Sequence, residues 1–180
     1  MIKLDEFISN NFYVTWTSIK IGLEGYKNFP PQLSINDIDS YATSLLYQKD
    51  NLSIEVLDLT LANSMSYEEI IKVINKLASK ENIDINFEMR KWRVLYIKEL
   101  LNQIQNLDYL DGLIALADAW SSFDYPDDSP YIIQGVGNNI SPEDYYSNEN
   151  FKNMIEKHKK WVIKEIQYLK VNNYIKIKDS

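Results

Sequence analysis

Residues 108–122 read DYLDGLIALADAWSS, and this stretch has the clearest helical period in the chain. At about 100° per residue, Leu110, Leu113, Ile114, Ala117 and Trp120 fall on one face. Asp108, Asp111 and Asp118 fall together on a narrow stripe well away from it, with Ala115 between them. Apolar on one side and acidic on the other, the segment predicts a helix laid against a core. Three acids on one stripe repel one another. The helix dipole offsets this for Asp108 and Asp111 near the N-terminus, but gives nothing to Asp118 in the last turns. Asp118 therefore points to function rather than to stability.

Helical periodicity continues in both directions from this segment. Phe87 to Asn106 is apolar on more than one side, which predicts a central helix. Ser66 and Glu69 form a capping box opening a helix through about Ser79, with Ile70, Ile71, Val73, Ile74 and Leu77 buried. Between these two, Asn82 to Asn86 is a connector whose Ile83/Ile85 alternation also allows a short strand. Ser53 caps a helix from Ile54 to Ala62. Ser34 with Asp37 is a variant capping box, opening a helix whose apolar positions are Ile35, Ile38, Ala42, Leu45 and Leu46. It follows the break at Pro30-Pro31. Before that break, Thr15 precedes a segment from Trp16 to Gly25 with Trp16, Ile19 and Leu23 at helical spacing.

On the C-terminal side, Phe123 to Asn150 is rich in Pro, Gly, Asp, Asn and Tyr and predicts an exposed functional loop. Within it, Ser141-Pro142-Glu143-Asp144 reads as one capped helical turn with proline at the first helical position. Ser147 opens a final helix from Asn148 to about Val171, with Phe151, Ile155, Val162, Ile166 and Leu169 on its inner face. The sum is an all-α, single-domain bundle over residues 1–180, of about seven helices with a long acidic loop before the last.

Charge is distributed unevenly along this pattern. From Glu99 to Phe151 there is no lysine or arginine, and ten acids give the segment −10. The remaining 127 residues carry +3, so this segment accounts for the whole net charge of −7. Such segregation bears on partners and solubility rather than fold. It repels phosphates, and with a pI near 4.8 it argues against nucleic acid as a partner. It suits a basic protein surface or a metal ion. Lys157, Lys160 and Lys164, on the outer face of the last helix, are the candidates for internal neutralisation, at about 0–1 kcal/mol per exposed pair.

Hydrophobic content of 45% is too high for a disordered chain. No apolar run approaches the roughly 18–20 residues that span a bilayer. The start, MIKLDEFISNNF, does not read as a signal peptide, and a cytoplasmic location is the expectation. The chain has no cysteine, which excludes disulfides and thiolate zinc sites.

Few residues suggest catalysis. His158, the only histidine, falls among apolar positions of the last helix with Glu165 two turns on, and reads as a core histidine with a polar partner. Gly135-Val136-Gly137 lacks the lysine and the strand–turn–helix context of a phosphate loop, and reads as a turn. Asp37 and Asp39 have a spacing used by some metal-dependent transferases, but Asp37 is already a helix-start acid. Asp124, Asp127 and Asp128 lack the twelve-residue frame of a calcium loop. A solvated acidic turn is the plain reading of these three, and Phe123, Tyr125 and Tyr131 around them favour the composition of a protein contact instead.

Three phrases also stand in a familiar order: Thr15-Trp16 with Ile19 and Gly22; Leu33-Ser34 with Asp37-Ile38 and Tyr41-Ala42; and Phe123-Asp124-Tyr125-Pro126. From about Thr15 to the last helix the chain resembles a bacterial domain family of unknown function. Some members of that family sit beside secreted polymorphic toxins, in the position of immunity proteins. Tyr131 to Ser147 departs from the pattern, and the family brings no active site. The resemblance implies a non-catalytic, cofactor-free immunity protein (antitoxin) that neutralises a cognate bacterial toxin. The charge pattern adds the expectation that Asp118, Asp124, Tyr125, Asp127 and Asp128 meet a basic surface on it, with Trp120 anchoring the helix in the core. The rivals are a metal-assisted hydrolase using the same loop and an adaptor for another basic protein.

Overall fold

The computed structural model describes residues 1–48 and 51–178, with side chains described outside 173–178. Helices follow one another as α1 (Leu4–Ser9), α2 (Trp16–Glu24), α3 (Ile35–Leu46), α4 (Ile54–Leu59), α5 (Tyr67–Ala78), α6 (Ile85–Ile104), α7 (Tyr109–Ser121), α8 (Pro142–Tyr145) and α9 (Asn148–Lys178). A 3-10 turn, Ala62–Ser64, lies between α4 and α5. There is no strand among the described residues; the one β-bridge joins Tyr26 and Phe29.

Local chemistry sets most helix starts. Ser34 with Asp37 and Ser66 with Glu69 each form a complete reciprocal capping box. Ser141 accepts from the Asp144 amide with Pro142 at the first helical position. Ser147 accepts from the amide of Asn150. Thr15 caps α2 through the Ser18 amide. A second cap comes from far along the chain: the Glu81 carboxylate accepts from the amides of Trp16 and Thr17, both at 2.8 Å. A carboxylate at a helix N-terminus satisfies orphan donors and complements the dipole.

α6 is the central helix the sequence predicts, and α1, α2, α7 and α9 pack around it. It buries Trp92, Val94, Leu95, Ile97, Leu101 and Ile104. Trp92 lies edge-on to Phe7 of α1 at 4.7 Å and donates to the Ser18 carbonyl of α2. α1 has no counterpart in the sequence reading, because six residues are too few to show a period. α4 ends at Leu59 rather than Ala62, and Ser53 makes no side-chain cap bond. The alternating Ile83/Ile85 pair forms no strand: Asp84 caps α6 through the Asn86 amide, which draws Ile85 into the helix.

The phase of α7 differs from the sequence expectation. Its buried residues are Gly112, Leu113, Leu116, Ala119 and Trp120, whereas Leu110 and Ile114 are 41% and 56% exposed. A helix apolar at so many positions has a wide hydrophobic arc, and the partner surface chooses its centre. Here Gly112 decides: a Cβ on it would lie 2.4 Å from the ring of Phe151 on α9. α7 meets α9 along its glycine side, and Leu110 and Ile114 turn outward.

Gly22 allows the same closeness between α2 and α6. An added Cβ would lie 2.4 Å from the Trp92 ring and 2.7 Å from Leu33. Trp92 is fully buried and held by its indole N–H, so it cannot give way. Gly22→Ala is therefore expected to destabilise the protein by about 1–3 kcal/mol net of the roughly 1 kcal/mol gained in helix propensity. Urea unfolding of the variant checks this, and equal or greater stability would refute the close packing.

Candidate functional site

All ten acids of the segment from Glu99 to Phe151 are solvent-exposed. Among the described residues only Asp128 joins an ion pair, with Arg93 Nη2 at 2.5 Å. The neutralising cation thus comes from α6, not from α9. Lys157, Lys160 and Lys164 enter no ion pair among the described residues; the α9 pairs are Glu165 with Arg90 and Arg93, and Lys159 with Glu156.

The structure divides the sequence-predicted contact residues into three places. Asp118 stands exposed on α7, on the same outer side as Asp111, Leu110 and Ile114. Asp124 and Asp128 line a cleft of about 350 Å³ with Tyr26, Lys27, Met89, Arg90, Arg93 and Phe123. Tyr125 and Asp127 line a separate groove of about 400 Å³ against the segment from Ser129 to Asn138. Asp124, Asp127 and Asp128 do not converge. No group of three or more His, Asp or Glu able to hold a metal occurs among the described residues.

The turn after α7 is built from inside. Phe123 stacks on Phe29 at 5.1 Å and lies edge-on to Tyr96 and Trp120. Asp124 and Tyr125 have φ of +57° and +45°, a region costly for residues with a Cβ. Compensating bonds hold them. Asp124 accepts from Asn28 at 2.7 Å, the Tyr125 amide donates to the Trp120 carbonyl, and the Tyr125 hydroxyl donates to the Ala117 carbonyl at 3.0 Å. Tyr131 and Tyr145 tie down the following segment through their hydroxyls, with Tyr145 donating to the Ile132 carbonyl. Burial, with the bond between the Tyr131 and Tyr145 hydroxyls next, pushes the Tyr131 phenol well above its usual range.

The three phrases carrying the family resemblance are consumed by this framework. Thr15 caps α2, Gly22 admits Trp92, and Leu33 covers Gly22. Asp37 completes its capping box rather than offering a ligand, and Asp39 accepts from Asn63 at 3.0 Å. Gly135 and Gly137, at φ of +75° and +67°, are turn glycines.

Arg90 and Arg93 escaped the sequence reading, although one signal was there. They are the only arginines among nineteen basic residues, three apart on one helix, just before the lysine-free segment. A chain that otherwise uses lysine keeps arginine where its planar fork is required. Arg90 grips Glu165 through Nε and Nη2, both at 2.7 Å, which strengthens its hold on the proton. Arg93 is pulled the other way by burial, against the opposing charges of Asp128 and Glu165.

His158 is fully buried, as the sequence implies, but its partner is not Glu165. Trp120 Nε1 donates to His158 Nε2 at 2.8 Å, and Nδ1 lies 2.7 Å from the Met154 carbonyl. Nε2 accepts and Nδ1 donates, so the ring is the neutral Nδ1–H tautomer. Burial lowers its pKa to about 4, more than the Met154 bond raises it. Between the ordinary 6.5 and about 4, the unfolded chain binds a proton that the folded one refuses. The stabilising contribution is whole above 6.5 and is lost as pH falls toward 4. The destabilisation caused by His158→Gln should therefore shrink by about 3 kcal/mol over this window. Denaturant midpoints of both proteins against pH measure this, and parallel curves would refute it.

A family model described as "Uncharacterized protein conserved in bacteria (DUF2247)" matches residues 4–166, nearly the whole chain, so the chain belongs to that family. No curated protein and no solved structure matches it.

Proposed function

We propose that this member of a bacterial family is an immunity protein, which binds a cognate toxin stoichiometrically and performs no catalysis of its own. One observation carries the reading: the outer face of α7. Leu110 and Ile114 are 41% and 56% exposed there, beside the acids Asp111 and Asp118, and Leu107 just before the helix is 46% exposed. An apolar strip rimmed by charge of one sign has the make-up of a protein-binding surface. Further acids at Asp124 and Asp127 extend the negative field around the end of the helix.

A basic toxin surface is the complementary partner. Long-range attraction would raise the association rate and select the partner, while the leucine and isoleucine side chains would supply the desolvated centre. If the toxin is a nuclease, the acids occupy a groove built for phosphates. No described helix is long and apolar enough to cross a membrane, and a cytoplasmic site of action is part of the proposal. The adaptor reading shares the same face and differs only in the identity of the partner.

Co-expression with a candidate toxin, the variable C-terminal domain of a secreted protein sought among the genes adjacent to this one, tests the proposal. The wild-type chain should restore growth. Asp118→Lys with Asp127→Lys should leave the fold intact, slow association most at low salt, and abolish protection. Ile114→Asp should weaken the complex mainly through faster dissociation, by about 1 kcal/mol or more. Unchanged protection from both variants would sink the proposed surface. Failure of the wild-type chain to protect would sink the immunity reading itself.

A further inference from the structure

Away from the α7 face, and independently of it, we infer that the cleft between α6 and the turn after α7 is a binding site for a small monocarboxylate with an apolar body. Its central group is Arg93, whose side chain is only 9% exposed. Nη2 donates to Asp128, and Nε is buried with no acceptor among the described residues. A buried guanidinium N–H without a partner is costly, and native structures rarely leave one without reason.

Arg90 shows how a carboxylate seats on such a fork: Glu165 takes Nε and Nη2 together. On Arg93 the same edge is half used. Glu165, committed to Arg90, comes no nearer than 3.7 Å, and Asp128 reaches Nη2 alone. Asp128 is also the movable member, because its side chain is 44% exposed on a turn while Arg93 is fixed in the core. It acts as an internal stand-in: an incoming carboxylate displaces it and bonds both Nε and Nη2, the bidentate arrangement that favours arginine.

The rest of the cleft defines the ligand. A volume of about 350 Å³ lies at the small end of the range for ligand pockets and holds a ring-sized body. Tyr26, Met89 and Phe123 give it apolar walls, and Lys27 adds an exposed cation at the mouth. Asp124 on the rim disfavours a second negative charge, so a monoanionic carboxylate fits better than phosphate.

The full-length protein can be titrated at constant ionic strength with benzoate, benzamide and inorganic phosphate. The readout is ¹H–¹⁵N resonances of the Arg93 Nε–H and of the Trp161 indole, whose ring lies 5.5 Å from the Arg93 guanidinium. Benzoate should shift both signals saturably, and benzamide should not. Asp128→Asn, on an exposed turn, should bind benzoate about tenfold more tightly because the competing charge is gone. Three results would overturn the assignment: no saturable shift with benzoate in either protein, an equal response to benzamide, or phosphate binding as tightly as benzoate.

Discussion

The rest of the structure depends on a buried charge placed between α2 and α6. Glu88 and Lys91 lie on consecutive turns of α6, their side chains 2% and 1% exposed, and pair at 2.8 Å. The other Glu88 oxygen accepts the Ser18 hydroxyl of α2, and the Lys91 ammonium also reaches the Tyr13 carbonyl. Two charges withdrawn from water must find partners, and the bonds to Ser18 and Tyr13 tie this pair to α2 and the segment before it. Removing either partner would leave the other uncompensated, at a cost of about 3–5 kcal/mol. With α2 locked, Gly22 meets Trp92, Leu33 covers Gly22, and the opposite side of α6 turns Arg90 and Arg93 toward α9 and the cleft.

That arrangement separates two kinds of acid. Glu88, Glu165 and Glu81 belong to the framework, bound to an ammonium, a guanidinium and a helix N-terminus. The ten acids of the lysine-free segment remain exposed, and among the described residues only Asp128 meets a cation. Self-repulsion across such a segment costs stability. Leu110 and Ile114 among these acids leave 41% and 56% of their surface in water. Both features suit association with another surface, whereas the cleft around Arg93 suits a small ligand.

Local signals were legible residue by residue. The capping boxes at Ser34/Asp37 and Ser66/Glu69 close within four residues, so the sequence contains both halves of each interaction. The central character of α6 was legible for a related reason: a helix apolar on several sides has to be covered on several sides. Of the candidate site, the exposure of Asp118, Asp124, Tyr125 and Asp127 followed from polarity and loop composition. The Asp128–Arg93 pair did not, because its partners lie 35 residues apart, and the rarity of arginine marks Arg93 without naming its partner. Nor did the burial of His158 against Trp120 rather than near Glu165, since helix geometry places Glu165 on its side and only packing supplies Trp120.

Residues 108–122 show the boundary most clearly. The sequence alone determined that they form a helix, that Asp108 begins it, and that Asp111 and Asp118 share its outer side, because period and capping are properties of neighbouring residues. It did not determine which part of a wide apolar arc would be buried. Tertiary structure decided that, through the contact of Gly112 with Phe151, and so left Leu110 and Ile114 beside the acids in water. Close packing rewards the side on which two backbones can approach most nearly, and that side is known only when both helices are in place.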